Sequence, residues 1–228
     1  MNTIIEINNI TKSYSSNKHE KNVVLKGVST SIERSKIVAL VGPSGVGKST
    51  LLHIIGTIDE PDSGEIIYNI DNSPKQLSQF KRNELDIFRN RTIGFVFQFH
   101  YLLPEFTALE NVMLPKLISG SKPSDAKKDA IVLLELTGVA DKINNKPMEL
   151  SGGEQQRIAI ARALINKPEI VLADEPTGNL DAKNAMSFIN LIKRIQSEFS
   201  TTFIIATHSS DIASISDVVL KMKDGQIL

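Results

Sequence analysis

The chain has 228 residues, 41% of them hydrophobic, and its 26 Lys and Arg are matched by 26 Asp and Glu, leaving no formal net charge. That length suits one large domain, or one domain with a sizeable insertion, and the charge balance gives no ground for a polybasic surface that would bind nucleic acid or membrane lipid. The lack of cysteine excludes a disulfide framework and cysteine-ligated zinc or iron–sulfur sites.

The opening MNTIIEINNITKSY lacks the basic head and long apolar stretch of a signal peptide. No apolar run approaches the roughly 20 residues needed to cross a bilayer. A soluble chain is therefore expected, acting at a membrane only through a partner. Residues 3–9 alternate as an edge strand would, and residues 23–32 and 36–41 read as two more strands, joined by a hairpin-like return through Glu33, Arg34 and Ser35. Tyr14 falls in an expected loop over 11–21. There its ring either covers the sheet edge or offers its face to a purine.

Gly42, Pro43, Ser44, Gly45, Val46, Gly47, Lys48, Ser49 and Thr50 then fit the phosphate-binding pattern G-x-x-x-x-G-K-[ST] without a mismatch. The buried strand before them and the helix expected from Ser49 to Ile55 supply the required context. A row of backbone N–H groups can curve around phosphate only where side chains do not intrude, hence the glycines, and the next helix points its positive end at the same anion. Lys48 brings a mobile charge for the β- and γ-phosphates, and Ser49 a hydroxyl short enough to ligate Mg²⁺.

After the turn signals of 56–64, residues 65–70 return as a strand and a polar connection runs through Pro74. Residues 91–97 form another buried strand, leaving the Gln98 amide at its end in need of a partner. From Thr107 the pattern is helical in two stretches, the second capped by Ser124 and ending near Gly138. The apolar Phe99–Phe106 before them is either packing between subdomains or a partner-binding patch.

Leu150–Arg157 reads LSGGEQQR. Ser151 can cap a helix whose first turn holds Gly152 and Gly153, which is either a glycine-softened helix start or, with its N–H groups uncovered, a second anion site. Strand 169–173 delivers Asp174 and Glu175, two adjacent carboxylates that need compensating charge. Mg²⁺ and Lys48 would provide it, with Asp174 facing the ion's hydration shell and Glu175 polarising the attacking water. The tight turn 176–181 leads into a helix over 184–199. Strand 202–207 ends at His208, placed for the γ-phosphate and the water. Strand 218–222 and a short last strand follow.

Taken together, GPSGVGKST, Gln98, LSGGEQQR, IVLADEP, NLD and His208, in this order, resemble the ATPase subunit of ABC transporters over the whole chain. The resemblance implies an α/β fold: a P-loop NTPase core with an antiparallel β edge subdomain and an inserted α-helical subdomain. One ABC ATPase domain would span 1–228, with 1–98 and 158–228 mainly core and roughly 99–157 helical. It implies that Tyr14 stacks on adenine, that Gln98 touches Mg²⁺ and senses the membrane partner, and that Glu175 is the catalytic base. It also implies that His208 is the switch histidine, that Asp181 communicates across a dimer, and that Ser151, Gly152 and Gly153 cover the γ-phosphate of ATP held by a second copy.

FQFHYLLPEFTALENVMLPKLI and ADEPTGNLD are similar, within that superfamily, to the lipoprotein-releasing (LolD) family, which works on the cytoplasmic face of the inner membrane. Macrolide-exporter and cell-division ATPases share ADEPTGNLD, so LLPEFTALENVMLP is the more discriminating stretch. One departure is Ser209, where these relatives commonly carry aspartate. The implied function is ATP hydrolysis with ATP and Mg²⁺, two copies meeting head to tail, and integral membrane subunits as partners. No nucleic acid and no direct membrane insertion are expected. A regulator of cell-wall enzymes is the rival class, separated by which membrane proteins co-purify.

Overall fold

A computed structural model describes residues 2–17, 20–70 and 73–228. In chain order the elements are β1 (Thr3–Asn17), β2 (Glu20–Glu33), β3 (Ile37–Val41), α1 (Lys48–Ile55), β4 (Ser63–Ile70), β5 (Ser73–Gln76), α2 (Arg82–Thr92), β6 (Ile93–Val96), α3 (Ala108–Ile118), α4 (Pro123–Leu136), α5 (Gly152–Leu164), β7 (Ile170–Asp174), α6 (Ala182–Phe199), β8 (Thr202–Thr207), α7 (Ser210–Ile215), β9 (Val218–Lys223) and β10 (Gln226–Ile227). They fall in two compact units, Met1–Leu85 with Thr202–Leu228, and Asp86–Thr201.

In the first unit an antiparallel sheet runs β2-β1-β4-β5. The strand expected at an edge is an inner one: β1 pairs with β2 on one side and β4 on the other. Ile4 and Ile5 are both buried, which puts apolar side chains on both faces of β1. The expected loop over 11–21 is strand as well, with Tyr14 opposite Asn22; residues 18 and 19 lie outside the described residues. The expected return from the second strand to the third is also corrected. β2 pairs with β1, whereas β3 lies parallel to β8 and β9. Ser35 adopts φ 54°, its amide donates to Thr202 Oγ1 at 2.9 Å, and Phe203 donates to the Lys36 carbonyl at 2.8 Å, which steers the chain into the second sheet.

β3 and β8 are apolar almost throughout and buried, as parallel strands covered on both faces must be. α1 packs against β8 through its buried Leu51, Leu52, Ile54 and Ile55. The polar connection expected through Pro74 contains β5 and leads into α2. Proline is tolerated in β5 because that strand is outermost. α2, RNELDIFRNRT, buries only Thr92, so it carries no apolar stripe to betray it.

In the second unit β6 and β7 run parallel and α5 lies on β6. A side chain at Gly94 would begin 2.4 Å from the Ala163 carbonyl, so glycine sets how closely the helix approaches. α3 and α4 pack on α5. Ser124 does not cap α4: Lys122 is the cap residue and Pro123 takes the first helical position, where its missing N–H costs nothing. The helix ends at Thr137, with Gly138 at φ 72° just beyond.

Candidate functional site

The phosphate loop leaves β3 at Val41, and His208 leaves β8 at Thr207. These strands are parallel neighbours with Val41 level with Thr207, so loop and histidine emerge side by side at the carboxyl ends. Pro43, Ser44 and Gly45 are exposed, while Gly47 and Lys48 are buried. A side chain at Gly42 would begin 2.6 Å from the Met222 carbonyl, and one at Gly47 2.8 Å from Leu25 Cδ2, so close approach requires glycine at both. Gly45 meets nothing within 4 Å, and its φ of 78° is what requires glycine there. No side chain caps α1 at Gly47. An anion would therefore meet helix N–H groups directly. Lys48, only 6% exposed, donates to the Gly42 carbonyl at 2.8 Å and the Pro43 carbonyl at 3.2 Å, folded over the loop it serves.

Tyr14 stands in the same unit with 42% of its surface exposed. Its hydroxyl donates to Asp59 Oδ2 at 2.6 Å, and the Thr50 side chain bonds the same phenol. Burial and Asp59 together push the phenol above its ordinary pKa. The aromatic ring is thereby tied to the last residue of the phosphate loop. His208 is exposed, and Ser209 supplies the N-cap of α7, accepting from the Ile212 amide at 3.4 Å. The departure at Ser209 is thus a change of cap, since serine and aspartate both serve there.

In the second unit β6 and β7 are in register with Val96 beside Ala173, so Gln98 emerges alongside Asp174 and Glu175. Glu175 adopts φ 43°, a left-handed conformation that turns the chain sharply at the end of β7. The Gly178 amide donates back to the Glu175 carbonyl at 3.0 Å, and Asn179 Nδ2 donates to the Gln98 carbonyl at 3.2 Å. A side chain at Gly178 would begin 3.3 Å from the Glu175 carbonyl and 3.4 Å from Gln98 Nε2. Gln98 and Glu175 are therefore braced by one turn, whose far end, Asp181, caps α6 by accepting from the Asn184 amide at 2.8 Å.

Ser151 caps α5 in a reciprocal box with Glu154, whose carboxyl is held below its ordinary pKa by hydrogen bonds from the Ser151 hydroxyl and amide. Gln155 donates to the Pro147 carbonyl at 2.9 Å and the Leu150 carbonyl at 3.1 Å, fixing the approach to the cap. Arg157 donates to the Thr137 carbonyl and to Ser187 Oγ, each at 2.6 Å, anchoring α5 to α4 and α6. Packing accounts for one glycine of the pair: a side chain at Gly153 would meet Asn184 at 3.2 Å, whereas one at Gly152 would meet nothing within 4 Å.

Phe99, Tyr101, Leu103 and Phe106 are all exposed on a strap between β6 and α3. Two residues that the sequence reading passed over hold it. Arg162 donates to the Tyr101 and His100 carbonyls at 2.6 and 2.5 Å, and burial pushes its guanidinium down to about 10. Asn111, fully buried, accepts from the Leu103 amide at 2.8 Å and donates to the Leu103, Phe106 and Thr107 carbonyls. Both carried a legible signal, since each is a polar residue on the apolar side of a helical pattern.

The ABC transporter family profile matches residues 25–178. The lipoprotein-releasing system ATP-binding protein LolD of Bacteroides fragilis is 48% identical over 225 residues, which cover 99% of this chain and 100% of that protein. A bacterial ABC transporter cassette solved as a dimer superposes with a TM-score of 0.88 at 39% identity, over 98% of this chain and 96% of that one. An ATP-binding cassette dimer in a post-hydrolysis state bound to ADP and Pi gives the same TM-score at 38% identity and the same coverage.

Proposed function

The chain belongs to the ABC transporter family, and from that premise we propose that it is the ATP-hydrolysing motor of a lipoprotein-releasing system. The observation that carries this reading is the match to lipoprotein-releasing ATP-binding proteins along almost the whole chain. It binds ATP and is an ATP hydrolase, in keeping with the ADP- and Pi-bound cassette it resembles.

The residue roles in this reading are supported by the geometry of each unit. The phosphate loop and the start of α1 receive the triphosphate, and Lys48 moves from its own loop carbonyls onto the β- and γ-phosphates. Glu175 is the base that orients and deprotonates the attacking water, and His208 contacts the γ-phosphate. Among the described residues no cluster of His, Cys, Asp or Glu suits a metal by itself. Ser49, Gln98 and Asp174 instead offer the hard oxygen donors that Mg²⁺ takes beside phosphate oxygens. Bound with ATP, Mg²⁺ supplies charge neutralisation at the phosphates.

Two copies associate head to tail, each offering Ser151, Gly152 and Gly153 to the other's nucleotide, with Asp181 at the junction. The open space at Gly152 and the dimeric cassette of similar fold support this reading. The exposed strap from Phe99 to Phe106, at the start of the helical region 99–157, takes a cytoplasmic segment of integral membrane subunits. No described helix is long and apolar enough to cross a membrane. As the motor of such a system it works peripherally, on the cytoplasmic face of the inner membrane.

The test uses Glu175→Gln, which keeps the side chain's shape but removes the base. ATP should convert this variant from monomer to a stable dimer by light scattering while turnover is lost. A variant that neither hydrolyses nor dimerises with ATP would refute the sandwich. Purification with its membrane subunits should bring down lipoprotein, and recovery of those subunits without it under ATP-free conditions would refute the assigned cargo class.

A further inference from the structure

Residues 11–14 of β1 are fastened to residues 59–63, the stretch that follows α1. The Thr11 and Ser63 hydroxyls lie 2.7 Å apart, the Asp62 amide donates to the Thr11 carbonyl at 2.9 Å, and Ser13 donates to Asp62 Oδ2 from its amide and its hydroxyl. At the centre is one carboxylate with two customers. Lys12 Nζ donates to Asp59 Oδ1 and to the Glu60 carbonyl, each at 2.6 Å, and the Tyr14 hydroxyl donates to Asp59 Oδ2 at 2.6 Å. The same Lys12 Nζ stands 5.2 Å from the centre of the Tyr14 ring.

The lysine side chain is only 11% exposed. Its burial disfavours the ammonium, but the hydrogen bond and charge of Asp59 outweigh that and hold its pKa above the ordinary value. Burial likewise works to raise Asp59, and the bonds from Lys12 and Tyr14 reverse it. A desolvated ion pair contributes little net stability compared with apolar packing of the same volume. What it does fix is geometry. The phenol is held at its tip, one side of the ring is braced by a cation, and 42% of Tyr14 nevertheless stays exposed.

We propose that Asp59 and Lys12 are positioning residues for the nucleotide base, holding Tyr14 as a pre-set stacking platform tied to the end of the phosphate-loop helix. The inference rests on the reading of Tyr14 as the base-stacking aromatic. Pre-setting the ring removes rotamer freedom before binding, so the base need not order it. Asp59 lies 45 residues from Tyr14 in sequence, within a stretch that reads as turn, which is why nothing in the motif pattern marks it.

Calorimetric titration of the full chain with ATP and, separately, with inorganic tripolyphosphate tests this. Tyr14→Phe, which keeps the ring and removes only the hydroxyl, and Asp59→Ala should each weaken ATP by about five- to tenfold, the net worth of one ordinary hydrogen bond. Both should leave tripolyphosphate binding unchanged, and in a Tyr14→Ala background Asp59→Ala should have no further effect on ATP. Equal weakening of ATP and tripolyphosphate would overturn the proposal, because the carboxylate would then act through the loop or the fold. Unchanged ATP affinity in both single variants, with Tyr14→Ala still selective against ATP, would overturn it while leaving the platform standing. If Tyr14→Ala itself does not discriminate ATP from tripolyphosphate, the platform reading fails first.

Discussion

Replacing Arg162 by methionine should loosen the strap over 97–106 without unfolding its surroundings, and the size of the effect follows from the structure. The guanidinium makes two charge-assisted bonds to main-chain carbonyls, together about 3–6 kcal/mol. Burial that brings its pKa down from the ordinary guanidinium value to about 10 costs about 3 kcal/mol of that gain. The bonds close on His100 and Tyr101, which sit at φ 57° and 45°, and two non-glycine residues in that region store about 2–4 kcal/mol of strain. Global stability should therefore fall by at most about 3 kcal/mol. Local opening, no longer opposed and driven by strain, should become about 100-fold more frequent. Hydrogen exchange followed by mass spectrometry reads this directly: amides of 98–102 should exchange about 100-fold faster, while those of β7 keep their protection within the global change. Arg162→Lys should recover only part, since an ammonium lacks the fork that reaches both carbonyls. Unchanged exchange in the strap, with a lowered melting temperature, would show that Arg162 only packs.

Three further outcomes are expected. His100 is held below its ordinary pKa of 6.5, first by burial and then by the Arg162 charge. Below pH 6.5 the unfolded chain then takes up a proton that the native ring resists, so stability falls with pH until the native ring protonates, by at most about 1.4 kcal/mol per pH unit. His100→Gln should flatten that slope in denaturant melts at successive pH values. Gly178→Ala pushes between the Glu175 carbonyl and Gln98 Nε2, so steady-state kinetics should show kcat down by about tenfold with ATP affinity kept. Ser209→Asp exchanges one good N-cap for another and should alter stability by less than about 0.5 kcal/mol, with turnover retained.

The phosphate loop, β3, β7 and β8 were legible because a strand buried on both faces must be continuously apolar, and each ends in residues too polar for that position. Partner choice was not legible. β2 and β3 are both strands as expected, but local pattern says nothing about which neighbour each takes, and the turn at Ser35 that sends them into different sheets depends on Thr202, 167 residues away. α2 escaped because Leu85, Ile87 and Phe88 are too few among its polar residues to mark a helical period. Tyr14 was misplaced for a related reason: TKSYSS is polar enough to resemble a loop, and only its pairing with β2, which sets Tyr14 opposite Asn22, makes it strand.

Glu175 shows where the local rules are broken to a purpose. Its φ of 43° is one that glycine adopts without strain, as at Gly45 and Gly225. Glycine at 175 would relieve about 1–2 kcal/mol of strain. The turn could be made that way with the Gly178 amide still bonded back to the residue-175 carbonyl, because that bond uses no side chain. The backbone turn itself therefore gives no reason for a side chain here. We infer that a carboxylate at a position whose conformation favours glycine serves the chemistry proposed for Glu175, with Gln98, braced on the same turn, responding to any shift of it.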